Sequence, residues 1–125
     1  MQVRFSFSFC SEEGEKFFGE GPYRLLCGIR RAGSLRSAAQ EMDMAYTKAF
    51  RLIKSAEAQL GFPLIRRTIG GKAGGGSTLT AEAEDLIARY EAFKADCSKV
   101  TAQLYERHFG DFPPQCAQSE VEPWG

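Results

Sequence analysis

The sequence predicts an α+β fold that is mainly α-helical. Three observations lead to this prediction. Residues 34–60 hold two segments whose apolar residues recur every three or four positions, which is typical of one helix face. Apolar and polar residues alternate near the N-terminus, which is typical of a strand with one buried face. A segment that begins near residue 81 carries apolar residues in a heptad repeat, which indicates a long helix.

The N-terminal elements come first. Residues 3–9 alternate between apolar and polar side chains, so we expect a strand there. Residues 11–21 are acidic and contain glycine, which predicts a loop, with one helical turn around residues 17 and 18 as the alternative. Pro22 suits the first turn of a helix, which Gly33 would end.

Two further helices follow in close succession. Ser34 is well placed to cap the first of them, in which Ala38 and Ala39 allow a neighbouring helix to approach closely. Three residues, 43–45, separate it from the next helix, whose N-cap position falls on Ala45. The core face of that helix consists of Ala49, Ile53, Ala56 and Leu60. Two short helices joined by a tight turn predict a helix-turn-helix.

A glycine-rich hairpin is predicted next. Residues 62–69 and 77–79 are expected to form strands on either side of the run Gly70–Gly76. A hairpin that follows a helix-turn-helix is a wing, and its tip would carry Lys72. A phosphate-binding nucleotide loop is the alternative for such a run, but the closing Gly-Lys-Ser/Thr spacing is not present.

The last helix is expected over about residues 81–107, with Thr80 as its N-cap and a length of about 40 Å. Its apolar seam consists of Leu86, Tyr90, Phe93, Cys97, Val100 and Leu104. One small domain cannot cover so long a seam, so we predict a homodimer formed along it, with partial packing on its own domain as the alternative. A small buried thiol is favoured at Cys97 over a cross-link between two chains. The folded domain would then span residues 1–107, followed by a disordered tail at 108–125.

Charge is distributed unevenly along a chain whose net charge is zero. Residues 24–72 carry ten basic against three acidic residues, a net charge of +7. The flanking residues 1–23 and 73–125 carry −2 and −5. Such a concentration of positive charge on the helix-turn-helix and wing is expected when one face meets phosphate, so double-stranded DNA is the predicted partner.

The predicted DNA contacts lie on the helix-turn-helix and the wing. They are Ser34, Arg36, Tyr46, Thr47, Lys48, Arg51, Lys54, Arg66, Arg67 and Lys72. Arg51 suits a bidentate contact with guanine, whereas Lys48 and Lys54 suit phosphate. An ordinary solvated helix face is the alternative interpretation.

Other functional classes find less support in the sequence. No apolar run is long enough for a membrane helix, and the N-terminus lacks a secretory signal, so a cytoplasmic location is predicted. The four cysteines are scattered without a CxxC pair, and His108 is the only histidine, so neither a metal site nor a cofactor is expected. No nucleophile, histidine and acid set can be assembled, so we do not expect an enzyme. A dimeric protein-interaction module that does not bind DNA is the alternative function.

A family resemblance adds to this interpretation. The segment AYTKAFRLIKSAEAQLGFPLIRR, with the glycine run and LTAEAEDLI after it, resembles the winged helix-turn-helix of LysR-type regulators. The wing sequence GGKAGGGSTLT is more similar still to the N-terminal DNA-binding domain of ModE-type, molybdate-responsive regulators. The resemblance covers about residues 2–107.

The resemblance implies a dimeric transcriptional regulator on a palindromic operator, with Thr47, Lys48 and Arg51 in the groove and the wing on flanking DNA. The family usually has serine at the position of Ala45, so this cap is expected to be weaker by ~1 kcal/mol. The molybdate-binding domains of the family are not found in the chain, so direct oxyanion sensing is not predicted. Any effector would then be sensed by a separate protein.

Overall fold

The computed structural model describes residues 2–68 and 76–113 of the 125-residue chain. Its elements in chain order are β1 (Phe9–Cys10), β2 (Lys16–Phe18), α1 (Glu20–Ala32), α2 (Leu35–Glu41), α3 (Tyr46–Leu60), β3 (Ile65–Thr68), β4 (Gly76–Leu79) and α4 (Ala81–Phe109). Strands β1 and β2 form one antiparallel hairpin, and β3 and β4 form another. The predicted α+β fold, mainly helical and with a winged helix-turn-helix, is confirmed.

The chain divides into two compact units, one of residues 7–90 and one of residues 1–6 with 91–125. The first unit contains helices α1 to α3, both hairpins and the first ten residues of α4. Its core is formed by one cluster of buried side chains, among them Leu25, Ile29, Ile53, Leu64 and Ile87.

Helix α1 has the predicted limits. Pro22 lies in its first turn, and Gly33 ends it with φ of 84°. This left-handed conformation favours glycine, which has no Cβ to clash with the following carbonyl. The helix buries Leu25, Leu26 and Ile29, and it packs against both α2 and α3.

Helix α2 starts at the predicted cap, because the Ser34 Oγ accepts the Ser37 N–H at 3.0 Å. It lies close to α1, since a Cβ added at Gly28 would come within 2.8 Å of the Ala38 Cβ. In the turn that leads to α3, Asp43 adopts φ of 51°, which aspartate tolerates better than most residues.

Helix α3 buries Ala49, Ile53 and Ala56 as predicted, with Leu60 partly buried. Ala45 is its N-cap and forms no side-chain cap hydrogen bond. The helix ends at Gly61, whose φ of 84° is again the left-handed conformation that favours glycine.

The wing hairpin follows α3. Strand β3 pairs with β4 from Ile65–Leu79 to Thr68–Gly76. The two predicted strands are therefore confirmed. The first of them begins three residues later than predicted, at Ile65 and not at residue 62. The tip of the wing, which includes Lys72, lies outside the described residues.

The start of β4 is held against the end of α1. The Ser77 N–H donates to the Gly33 carbonyl oxygen at 2.7 Å. A Cβ added at Gly76 would lie 2.6 Å from that same oxygen. Glycine is therefore required at residue 76 by close packing.

The N-terminal strand predicted at residues 3–9 is wrong in its first part, because only Phe9–Cys10 forms a strand. Its partner is β2, in the segment predicted to be a loop, and β2 has only three residues. A strand extends only as far as its partner, so Val3 and Phe5 lie outside the strands and are exposed. The loop predicted across residues 16–18 is also wrong.

An aromatic cluster covers this small hairpin. Its centre is Tyr90, which is 2% exposed. The ring centroids that lie between 4.7 and 6.2 Å from that of Tyr90 belong to Phe7, Phe9, Phe18 and Tyr23. The Tyr90 hydroxyl donates to the Glu20 Oε2 at 3.0 Å. Burial, together with the Glu20 carboxylate, raises the pKa of Tyr90 to about 12.

Helix α4 begins at the predicted cap, where the Thr80 Oγ1 accepts the Ala83 N–H at 3.0 Å. It ends at Phe109, two residues later than predicted, so residues 108 and 109, which were assigned to the disordered tail, belong to the helix. Residues 114–125 of that tail lie outside the described residues. Of the helices in the described ranges, none has the length and apolar character to cross a membrane.

Candidate nucleic-acid interface

One face of α3 points away from the core. Thr47, Lys48, Arg51 and Lys54 are all exposed, together with Ser55. The spacing of residues 47, 51 and 54 follows a single helix face, opposite the core face of residues 49, 53 and 56. The structure therefore brings together the α3 residues that were predicted to enter the groove, while their contact with DNA stays a prediction.

Tyr46, at the first position of α3, joins three elements. The Arg36 guanidinium carbon, from α2, lies 4.5 Å from the centroid of the Tyr46 ring. From β3, the Arg67 Nη2 donates to the Tyr46 hydroxyl at 3.4 Å. A cation over an aromatic face is attracted by the negative face of the ring. Tyr46 thus orients two of the predicted DNA-contacting arginines beside the start of α3.

Lys54 has a different environment. Its Nζ lies 3.2 Å from the Glu57 Oε1 and 5.6 Å from the centroid of the Phe50 ring. The other carboxylate oxygen of Glu57 accepts the Leu64 N–H at 2.7 Å. Glu57 is thus fixed between α3 and the segment before β3, and it neutralises part of the charge of Lys54.

Phe50 belongs to this surface, and the sequence analysis did not identify it. Its ring is 37% exposed and its centroid lies 6.3 Å from that of Tyr46. A signal was present in the sequence, because position 50 falls outside the spacing of the core face, Ala49, Ile53 and Ala56. An apolar residue outside that spacing is expected on the surface.

The arginines of α1 are paired with carboxylates. Arg24 lies 3.4 Å from Glu20, and Arg30 lies 2.9 Å from Glu84. Arg31 forms an ion pair with Glu41. Much of the positive charge counted between residues 24 and 72 is therefore neutralised locally.

Of the nine basic residues between residues 24 and 68, five have no carboxylate ion pair with any residue of the described ranges 2–68 and 76–113. They are Arg36, Lys48, Arg51, Arg66 and Arg67. All five are exposed and come from α2, α3 and β3. We call them the cationic face.

Two other predicted DNA contacts, Ser34 and Lys72, are not part of the cationic face. The Ser34 hydroxyl accepts a hydrogen bond as the cap of α2, so its oxygen already has a structural role. Lys72 lies outside the described residues.

The residues of the predicted dimer seam of α4 differ in how deeply they are buried. Leu86 and Tyr90 pack within the unit of residues 7–90, which agrees with the alternative that part of the helix packs on its own domain. In the other unit Cys97 is partly buried, whereas the remaining three apolar positions are about half exposed. These are Phe93 at 49%, Val100 at 51% and Leu104 at 47%.

The chain matches the model of a known protein family. Residues 23–84 match the model of the family described as bacterial regulatory helix-turn-helix protein, lysR family. The matched segment begins within α1 and ends in the first turn of α4, so it contains the helix-turn-helix and the wing.

Several characterised proteins are similar in sequence. The chain is 40% identical over 80 residues to the molybdenum-pterin-binding protein MopB of Rhodobacter capsulatus, which covers 64% of this chain and 30% of MopB. It is 33% identical over 84 residues to the molybdenum transport protein ModE of Azotobacter vinelandii, covering 67% and 31%. It is 37% identical over 68 residues to the transcriptional regulator ModE of Haemophilus influenzae, covering 54% and 27%. The chain thus spans about 30% of the length of these relatives.

Two solved structures share the fold. One is the CbnR_DBD–DNA complex, with a TM-score of 0.56, 18% identity and coverage of 72% of this chain and 99% of that chain. The other is ArgP from Mycobacterium tuberculosis, with a TM-score of 0.50, 20% identity and coverage of 68% and 30%. At these identities the likeness shows the arrangement of helices and wing.

Proposed function

Residues 23–84 are a helix-turn-helix domain of the bacterial lysR family, and on this premise we propose that the chain is a sequence-specific DNA-binding transcriptional regulator. The names of the relatives support the proposal, since one of them is the transcriptional regulator ModE of Haemophilus influenzae. The solved complex of the CbnR domain contains DNA. The proposal extends to molybdenum-related target genes, because MopB and the ModE of Azotobacter vinelandii carry molybdenum in their names.

The cationic face is the observation that carries the proposal. Lys48 and Arg51 lie on α3 itself, and Arg36 and Arg67 contact Tyr46 at its start. All five cations lack a carboxylate partner in the described ranges, so they are available to phosphate and to base edges. In the proposed complex α3 lies in the major groove, where Arg51 donates two hydrogen bonds to guanine. Lys48 and Arg66 contact phosphates, which determine register and affinity.

Helix α4 is proposed to form the dimer. Phe93, Val100 and Leu104 leave about half of their side-chain surface in water, at the four- and three-residue spacing of a heptad seam through Cys97. Pairing with a second copy would cover these side chains. Two copies would bind two half-sites of a palindromic operator.

The test is a binding experiment on the native chain with a salt series. A preferred duplex is first selected from a random library, and its dissociation constant is then measured between about 50 and 200 mM salt. If each of two copies neutralises two to four phosphates, the slope of log affinity against log salt should lie between about −4 and −7. A slope near zero would contradict DNA binding by the cationic face.

DNA binding and oligomeric state, measured together, distinguish a second candidate function. Helix α3 begins without a side-chain cap, which favours a dimeric interaction module that keeps the fold without binding DNA. That module would give a dimer in analytical ultracentrifugation but no affinity for any selected duplex. A dimer that binds the selected duplex would support the regulator.

A further inference from the structure

Phe50 lies between Tyr46 and Lys54 on α3, the helix that is proposed to enter the major groove. On the premise of the proposed function, we propose that Phe50 recognises a thymine in each operator half-site, through contact between its ring and the thymine C5-methyl group. Phe50 would then be a specificity-determining residue in addition to Arg51.

The position of Phe50 on α3 places its side chain at the exposed surface of the helix. It lies three residues after Thr47 and four residues before Lys54, so it is adjacent to both on the exposed surface of the helix. Its ring is 37% exposed, whereas Ala49, immediately before it, is fully buried. The Phe50 ring therefore borders the side of α3 that carries Thr47 and Lys54.

The Phe50 ring has neighbours on two sides. On one side the Tyr46 ring lies 6.3 Å away, and on the other the Lys54 Nζ lies 5.6 Å away. Tyr46 is itself in contact with Arg36, and Lys54 is paired with Glu57. Phe50 therefore has contacts on two sides in the free protein, and such contacts restrict its orientation and reduce the entropy lost on binding.

The chemical groups of the major groove determine which base a phenyl ring can recognise. A phenyl ring has no donor or acceptor, so it cannot distinguish bases by hydrogen bonds. The C5-methyl of thymine is the apolar group that a base edge presents in the major groove, and phenylalanine is among the side chains that suit it. The neighbouring cations would meanwhile hold phosphates and position the ring. Contact with the methyl group would remove both apolar surfaces from water.

The experiment uses the native chain and its selected operator duplex. Each dT is replaced in turn by dU, which removes only the C5-methyl group and leaves every hydrogen bond of the base pair. Replacement of dT by dU at one symmetry-related pair of positions should lower the affinity of the native chain by about fourfold for each lost methyl group. The Phe50→Ala variant should bind the dT and dU duplexes with equal affinity.

Two further variants serve as controls. Phe5→Ala removes a ring that is 47% exposed but lies outside α3, so it should keep the full sensitivity to dU. Phe50→Leu keeps an apolar contact and should retain part of that sensitivity. It also carries the test if Phe50→Ala unfolds at a much lower temperature.

The outcomes distinguish the inference from its premise. Loss of dU sensitivity in Phe50→Ala alone supports the contact. DNA binding in which no dU position matters, or in which Phe50→Ala remains equally sensitive, overturns the role of Phe50 and leaves the regulator intact. Failure of the native chain to bind any duplex overturns the proposed function and the inference with it.

Discussion

Helices α1 and α3 each carry three basic side chains, yet the two sets differ in their partners. Those of α1, Arg24, Arg30 and Arg31, all form ion pairs with carboxylates. On α3 only Lys54 does so in the described part of the chain, whereas Lys48 and Arg51 do not. Charge counted along the sequence is therefore a poor guide to the field outside the protein. The fold decides which charges remain available.

The ion pairs of α1 contribute little to stability. Their side chains are between 43% and 67% exposed, and pairs of this kind are worth about 0–1 kcal/mol. Their larger effect is electrostatic, because each carboxylate cancels a cation on a surface that is not proposed to meet DNA. The positive field is thereby concentrated at the cationic face.

The largest expected effect contrasts one arginine from each helix. Arg51→Ala should weaken operator binding by about 10- to 100-fold, since a bidentate contact with guanine is worth about 1–3 kcal/mol. Its matched control, Arg24→Ala, also removes an exposed arginine and should change the affinity less than about twofold. Fluorescence anisotropy with the selected duplex measures both. Equal losses would contradict the distinction between α1 and α3.

Tyr46 provides the next test, because it orients two members of the cationic face. Tyr46→Leu should lower operator affinity by roughly fivefold, as the contact with Arg36 and the hydrogen bond from Arg67 are both lost. Tyr46→Phe keeps the ring below Arg36 and should lose only about twofold. If both variants bound like the native chain, the orientation of these arginines would have no role. Their melting temperatures show whether the fold is retained.

A smaller effect concerns salt dependence. Arg66→Ala should make the salt slope shallower by about 0.9 for each copy bound, and it should weaken different sequences to a similar extent. Arg31→Ala, whose guanidinium is paired with Glu41, should leave the slope unchanged. Affinities measured at four or more salt concentrations give both slopes. A similar change in both would mean that paired and unpaired arginines contribute alike.

The smallest effect leaves every charge in place. Ala45→Ser should add the cap that α3 lacks and raise the free energy of unfolding by roughly 0.5–1 kcal/mol. Ser34→Ala should lower it by a similar amount, because it removes the observed bond to the Ser37 N–H. Urea unfolding measures both changes. An unchanged stability for Ala45→Ser would show that water already satisfies the start of α3.

The helices could be predicted from the sequence because their ends are determined locally. Ser34 and Thr80 cap helices with their own side chains, and Gly33 and Gly61 end helices with their own backbone conformations. The N-terminal strand could not be predicted in this way. Its length depends on β2, and the aromatic residues of that hairpin pack on Tyr90, which lies more than 70 residues away.

The same distinction applies to the candidate site. The exposed side of α3 follows from helical spacing, so the positions of Thr47, Lys48 and Arg51 could be predicted. The pairing of Arg30 could not, since its partner Glu84 is 54 residues away. Phe50 was not among the predicted contacts, all of which carry a polar group, although its position outside the core face indicates exposure.

The packing of Gly76 against Gly33 has a consequence for how the wing can vary in length. Surface loops tolerate insertions and deletions well, and a glycine run invites the view that its members are interchangeable. An alanine methyl at residue 76 would lie 2.6 Å from a backbone oxygen that cannot move without breaking the bond from Ser77. A library that varies both composition and length should therefore return glycine alone at this position. Residue 76 would be the fixed end of the loop, with all changes in length accommodated before it.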